Sequence, residues 1–175
     1  MRVAALAALA LMLVAPQARA QDGGIAVGSM APNATLETLD GKRIELGSLI
    51  GKTPVVLEFW ATWCSNCEEL EPTFQAVQKK YAGKVRFASI AVAINQSPER
   101  VRRWIARHQP GRDFFYDHAG DAAEGYDAPA TSYVVIVDAS GRVTYTGVGG
   151  EQDLEGEIRK ALGGSGGKGQ GPGGG

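Results

Sequence analysis

The feature that most constrains this chain is a pair of cysteines, Cys64 and Cys67, placed just after a strongly apolar run. The run Val55–Trp60 is rich in β-branched and aromatic residues, which is typical of a central strand buried on both faces. The residues from Cys64 to about Tyr81 are expected to form a helix. The pair therefore marks a strand-to-helix junction, which predicts an α/β domain.

The junction gives the two cysteines different surroundings. At a helix N-terminus the N–H groups are unpaired and the helix dipole is positive, so a cysteine there is favoured as the thiolate. Cys67 follows one turn later, on the apolar helical face that continues through Leu70 and Phe74. We therefore expect Cys64 to be the more exposed nucleophile. Cys67 is expected to be a shielded thiol that attacks a mixed disulfide and releases its partner.

Other uses of the cysteine pair are less well supported. A structural zinc site needs four ligands, and only His108 and His118 could complete one. Attachment of a c-type haem requires histidine after the second cysteine, where Glu68 stands. A disulfide closing so short a loop stabilises a fold little. A copper(I) carrier that uses both thiolates remains an open alternative. We expect no metal and no cofactor besides the redox-active disulfide itself.

Glu58 interrupts the apolar run, and it is the second residue with a predicted chemical role. Burial of a carboxylate is costly, so the pKa of Glu58 is expected to rise. The strand leads into the cysteine loop, which places Glu58 beneath that loop. From there its carboxylate can accept the proton of Cys67. The alternative is a side chain at a strand edge that points to water.

The chain begins with a segment typical of a secretory signal peptide, residues 1–20. Arg2 supplies the positive charge, Val3–Ala15 the apolar core, and Ala18-Arg19-Ala20 the small-x-small cleavage site. The apolar core would span only ~20 Å as a helix, against ~30 Å for a bilayer. We therefore expect cleavage and export, with an uncleaved anchor as the alternative. Residues 21–27 are expected to be a short mobile lead-in.

The rest of the chain predicts one domain, residues 28–162, and a tail. Strands alternate with helices, which predicts a mixed central sheet flanked by helices. Residues 163–175 are mostly glycine and are expected to be disordered, because they cannot bury enough apolar surface. The net charge is −1, and cleavage would remove two arginines and no acid. This weak acidity gives no reason to expect nucleic acid as a partner.

The segment Phe59–Cys67 resembles the active-site segment of the thioredoxin superfamily. Three further residues fit the resemblance: Pro72 matches a proline that kinks the active-site helix, Glu58 a buried acid, and Pro129 a cis-proline beside the disulfide. The resemblance covers residues 28–162 and implies a thioredoxin-like fold. It also implies that Trp63, Ala128 and Pro129 bind substrate, with the backbone of Ala128 pairing with an extended chain.

Within the superfamily the chain is most similar to exported disulfide reductases of the TlpA/ResA type. The pair Asp40-Gly41 predicts a two-residue hairpin turn between residues 34–39 and 42–46, and Leu39-Asp40-Gly41 resembles part of their added N-terminal β-hairpin. The segment Asp113–Tyr126 resembles their central strand–helix insertion. The resemblance implies a periplasmic protein that receives electrons from a membrane thiol reductase and reduces protein disulfides, often in cytochrome c maturation. We expect it to be a monomer.

Two features of the sequence depart from the pattern of that group. The dipeptide Ser65-Asn66 has neither the proline common in reductases nor the histidine of strong oxidants. Leu70 stands where the group often has glutamate, with Glu69 and Glu71 on either side. A disulfide-forming oxidase or isomerase on the same fold therefore stays open as an alternative.

Overall fold

The structure is a computed structural model that describes residues 23–108 and 110–163. The predicted signal peptide and nearly all of the predicted glycine-rich tail lie outside the described residues. The described part of the lead-in is anchored to the domain. The N–H of Ile25 donates to the carbonyl of Tyr126 and to the hydroxyl of Tyr133, both at 3.0 Å.

The described residues contain seven strands that form one mixed sheet. In chain order these are β1 (Thr35–Thr38), β2 (Arg43–Glu45), β3 (Val55–Trp60), β4 (Arg86–Val92), β5 (Asp113–Asp117), β6 (Tyr133–Val137) and β7 (Val143–Val148). Their order across the sheet is β2-β1-β5-β4-β3-β6-β7. The central strands β3, β4 and β5 run parallel, while β1 and β6 join them antiparallel. The predicted mixed α/β architecture is confirmed.

Helices cover both faces of this sheet. They are α1 (Ser65–Lys80), α2 (Pro98–His108), α3 (Asp121–Gly125) and α4 (Leu154–Ala161), with a short 3-10 helix at Leu46–Leu49. Helices α1 and α4 pack on one face in a cluster that includes Phe74 and Ile158. Helix α2 contributes Trp104 to a larger cluster on the other face, together with Leu57 and Phe59 of β3. Strand β3 is therefore buried from both sides.

The N-terminal hairpin is part of the main sheet. Strand β1 pairs with β2 and also with β5, so the predicted hairpin extends the sheet at one edge. The turn of this hairpin has three residues, not the predicted two. The N–H of Thr38 donates to the carbonyl of Lys42, which leaves Leu39, Asp40 and Gly41 in the turn. Gly41 has φ of 83°, the left-handed conformation that glycine adopts at the end of such a loop.

The predicted central insertion is also confirmed. It consists of β5, which separates β1 from β4, and of the short helix α3. The buried carboxylate of Asp117 accepts hydrogen bonds from the N–H groups of Ala122 and Ala123, at 3.2 and 2.8 Å, and so fixes the start of α3. Among the residues placed by the structure, no helix combines the length and apolar character needed to span a membrane.

We expect Leu36→Ala to destabilise the whole domain, because Leu36 is fully buried in β1 and β1 pairs with β5. The expected loss in free energy of unfolding is about 2–5 kcal/mol, the usual cost of a buried leucine-to-alanine change. Urea unfolding followed by tryptophan fluorescence and by far-UV circular dichroism measures it. The control is Lys42→Ala at the exposed turn, with an expected change within about 0.5 kcal/mol. A loss in Leu36→Ala no larger than in the control would contradict this prediction.

Candidate active site

Cys64 and Cys67 form a disulfide at the N-terminus of helix α1. Cys64 has extended backbone angles and is the N-cap residue, and its Sγ accepts a hydrogen bond from the N–H of Cys67 at 3.1 Å. The helix therefore directs an otherwise unpaired N–H at the sulfur, which stabilises negative charge there once the disulfide is reduced. This placement confirms the strand-to-helix junction predicted from the sequence.

The expected difference in exposure between the two cysteines is wrong for the disulfide form. Each cysteine residue is 5 % exposed. The expectation rests on helical periodicity, but Cys64 is the N-cap residue, precedes the first turn and is not subject to that periodicity. Its backbone is extended, and its N–H donates to the carbonyl of Ala61 in the preceding loop at 3.2 Å.

Glu58 lies in the centre of the sheet and is 1 % exposed. On β3 it stands opposite Ser89 of β4 and Val134 of β6. The alternative of a strand edge facing water is therefore wrong. Burial raises the pKa of the Glu58 carboxyl, and the nearby Arg112 guanidinium and the hydroxyl of Ser89 counteract this rise in part. The Ser89 Oγ donates to Glu58 Oε2 at 2.8 Å.

Arg112 is a residue of this site that no sequence pattern indicates. Its side chain is 1 % exposed, and its Nη2 lies 3.2 Å from Glu58 Oε2. The same guanidinium binds both carboxylate oxygens of Glu71 on α1, at 2.8 and 2.7 Å. A buried carboxylate requires such a partner, so Glu58 signalled that a cation was needed. The region 100–112 holds five arginines, however, and nothing in their pattern distinguishes Arg112.

A groove of about 550 Å³ lies against the loop that precedes Cys64. Trp63, the residue before Cys64, forms one wall, and the segments 92–94 and 128–131 line much of the remainder. Trp63 is 43 % exposed, and its indole Nε1 donates to the carbonyl of Ile94 at 2.9 Å. The indole is therefore held at the groove with much of its apolar surface open to a ligand. The structure thus brings Trp63, Ala128 and Pro129 to one groove.

The cis-proline expected at Pro129 is wrong for this structure. The Ala128–Pro129 peptide bond is trans, which is the ordinary isomer, and Pro129 is exposed in a loop. The residue directly before β6 is Ser132, and the chain turns there with φ of 61°. Ala128 donates its N–H to the carbonyl of Ala123 at 2.9 Å. Backbone pairing of Ala128 with a substrate chain could therefore use only its carbonyl oxygen.

The two histidines do not join the cysteines. The ring of His108 stacks on Trp104 with 4.2 Å between centroids, and His118 is one of the residues that line the groove. Within residues 23–108 and 110–163, no group of three or more metal-ligating side chains comes together. The arrangement of the cysteines is suited instead to thiol–disulfide exchange, because a helix-capped sulfur and a second sulfur one turn later can form and break a disulfide.

Comparison with known proteins agrees with this chemistry. The Redoxin family model matches residues 26–162. The thioredoxin-like protein YneN of Bacillus subtilis is 31% identical over 72% of this chain and 74% of its own length. The thiol-disulfide oxidoreductase ResA of Bacillus thuringiensis is 30% identical over 77% of this chain and 72% of its own.

A solved structure extends the likeness to the fold. The thioredoxin domain of a thiol-disulfide oxidoreductase from Bacteroides vulgatus superposes with a TM-score of 0.67 at 21% identity, covering 79% of this chain and 99% of that one. The fold is therefore thioredoxin-like, as the sequence predicted. The chain belongs to the Redoxin family and, within the thioredoxin superfamily, to the thiol–disulfide oxidoreductases of the ResA type.

Proposed function

We propose that this protein is an exported dithiol reductase that acts on disulfides of cell-envelope proteins. The observation that carries the proposal is the disulfide of Cys64 and Cys67, which caps helix α1 beside an apolar groove. Export is supported by the signal-peptide pattern of residues 1–20. We propose the periplasm as its location and a monomer as its working form.

The first step uses Cys64 of the reduced protein. Its thiolate, stabilised by the N–H of Cys67, attacks one sulfur of the substrate disulfide. That disulfide breaks, a mixed disulfide with Cys64 forms, and the other substrate sulfur leaves as a thiolate that takes a proton from water. The exposed face of Trp63 and the loop 128–131 hold the extended substrate in the groove.

The second step uses Cys67 and Glu58. The Glu58 carboxylate accepts the thiol proton of Cys67, and the resulting thiolate attacks the Sγ of Cys64. The mixed disulfide breaks, the Cys64–Cys67 disulfide forms, and the second substrate sulfur is released as a thiolate. Two electrons have then passed from the cysteine pair to the substrate. The raised pKa of Glu58 suits this task, since a base is most effective when its pKa approaches that of the donor.

The charges around the cysteines support reduction as the direction of electron flow. A disulfide becomes a strong oxidant when its reduced thiolate is strongly stabilised. Here the residues between the cysteines are the neutral Ser65 and Asn66, and the first turn of α1 carries the acidic Glu68. The N–H of Cys67 therefore stabilises the Cys64 thiolate without help from a cation in that turn.

The proposed electron donor is a membrane thiol reductase, because a reductase must be returned to the dithiol after each turnover. The substrates are protein disulfides, and apocytochrome c in cytochrome maturation is one candidate. The reaction requires no cofactor, since the two cysteines carry the electrons themselves.

Replacement of each cysteine by serine separates their roles. We expect Cys64→Ser to abolish reduction of a model protein disulfide, because the attacking thiolate is gone. We expect Cys67→Ser to accumulate a mixed disulfide through Cys64, because the resolving thiol is gone. Non-reducing electrophoresis and mass spectrometry detect the trapped species. If the Cys64→Ser variant formed a mixed disulfide through Cys67 as fast as the wild-type protein attacks the same substrate, the assignment would be contradicted.

The reduction potential of the pair tests the direction of electron flow. We expect a value near about −270 mV, that of thioredoxin, when the protein is equilibrated with dithiothreitol buffers. The matched variant Asn66→His should have a less negative potential, because a histidine cation stabilises the thiolate. A wild-type value near about −120 mV, that of a strong oxidant, would identify a disulfide-forming oxidase instead.

The variant Glu58→Gln tests the proton transfer. We expect resolution of the mixed disulfide at neutral pH to slow about 100-fold, within the usual range for loss of a general base. Attack by Cys64 should keep its rate, because it precedes the proton transfer. Stopped-flow measurement of both steps with a chromogenic disulfide separates them. Equal slowing of the two steps would show a general disturbance of the site rather than a missing base.

A further inference from the structure

We infer that Arg112 is a positioning residue for the redox site, which anchors the Glu58 carboxylate beneath helix α1 by sharing one guanidinium between Glu58 and Glu71. The inference rests on the proton-accepting role proposed for Glu58. It adds two residues, Arg112 and Glu71, to the set that governs the reaction.

The geometry of the guanidinium supports this role. Its Nη2 lies 2.7 Å from Glu71 Oε2 and 3.2 Å from Glu58 Oε2, so one nitrogen serves both carboxylates. Its Nε donates to the Ser89 hydroxyl at 2.6 Å, and that hydroxyl donates to Glu58. Arg112 therefore reaches Glu58 both directly and through Ser89, which fixes the position of the carboxylate.

The surroundings of the guanidinium make this contact strong. The guanidinium carbon lies 4.5 Å from the ring centre of Phe74 and 4.9 Å from that of Phe114. Both the Arg112 and the Glu58 side chains are almost fully buried. Charges shielded from water in this way interact more strongly than the same charges at the surface. The shared cation is therefore the main influence that opposes the cost of ionising Glu58.

Glu71 weakens the stabilisation that Arg112 gives to the ionised carboxyl of Glu58. It holds the guanidinium with two hydrogen bonds, while Glu58 receives one direct bond. Its negative charge also opposes ionisation of Glu58. Glu71 follows Cys67 by four residues in α1, so the two lie on the same helical face. The network thus connects the buried acid to the helix that carries the cysteines.

The other groups that face Glu58 among the described residues are uncharged, so Arg112 and Glu71 are the charges that act on its carboxyl. From β4 it meets the neutral Ser89, and its neighbour on β6 is the apolar Val134. From α1 comes Glu71, and from the residue before β5 comes Arg112. The nearby pair of Arg86 and Asp113 lies at the surface, with both side chains more than two-fifths exposed.

The two charges predict opposite effects on Glu58. Arg112→Met removes the cation and should raise the titration midpoint of the Glu58 carboxyl by about one pH unit or more, the usual effect of losing a close opposite charge. Glu71→Gln removes the competing anion and should lower the midpoint. Carbon-13 NMR of the Glu58 carboxyl, in the full chain in its disulfide form, measures the midpoint without interference from thiol titration.

Three further variants complete the comparison. Arg112→Lys keeps the charge and should therefore keep the midpoint close to the wild-type value, without most of the rise expected for Arg112→Met. Arg86→Met removes a nearby surface arginine and should leave the midpoint unchanged. Glu58→Gln identifies the carboxyl signal by its loss. In the reduced proteins, the pH dependence of mixed-disulfide resolution should follow the NMR midpoint of each variant, which a purely structural role for Arg112 would not produce.

Opposite shifts in Arg112→Met and Glu71→Gln would support the inference, and any other pair of shifts would overturn it. If Arg112→Met does not fold, Glu71→Gln decides alone: a lower midpoint supports the inference and an unchanged or higher one overturns it. The proposed function is tested separately. If Glu58→Gln keeps the pH dependence of the wild-type resolution step, Glu58 is not the base, whatever the NMR midpoints show.

Discussion

Burial of strand β3 on both faces is the constraint on which the rest of this structure depends. Helices α1 and α4 cover one face and α2 the other, and β4 and β6 pair along its two edges. Such a strand excludes water along its length, so any polar side chain on it must be satisfied by the protein. The strand also ends at the cysteine loop. The core of the fold and the position of the redox site are therefore determined by the same segment.

The carboxylate of Glu58 gives this constraint a chemical consequence. An apolar side chain at its position would have stabilised the sheet at no electrostatic cost. The fold instead holds a carboxylate there and surrounds it with a hydroxyl, a guanidinium and a second carboxylate. The guanidinium comes from the residue that precedes β5. The central insertion thus supplies a strand of the sheet, and the residue at its entry, Arg112, supplies a charge that contacts the active-site helix.

The elements predicted from local patterns agree well with the structure, and the errors have physical causes. The apolar run at β3 and the helix that follows it were predicted because burial and helical periodicity leave clear signals over six or more residues. The Asp40-Gly41 pair predicts a two-residue turn, whereas the structure has a three-residue turn at Leu39–Gly41, because an Asp-Gly pair suits both lengths. The equal burial of Cys64 and Cys67 was missed because an N-cap residue lies outside the helical repeat.

What the sequence by itself determined is the chemistry: two cysteines at a helix start, a carboxylate in a buried strand, and the α/β order of elements. Each follows from neighbours along the chain, where residue type and spacing decide the outcome. Only the tertiary structure decided which cation meets Glu58 and that Trp63 and the 128–131 loop line one groove. These contacts join residues distant in sequence, and many arginines or loops would satisfy the same local pattern. Which arginine and which loop make these contacts is therefore determined by the packing of the whole fold.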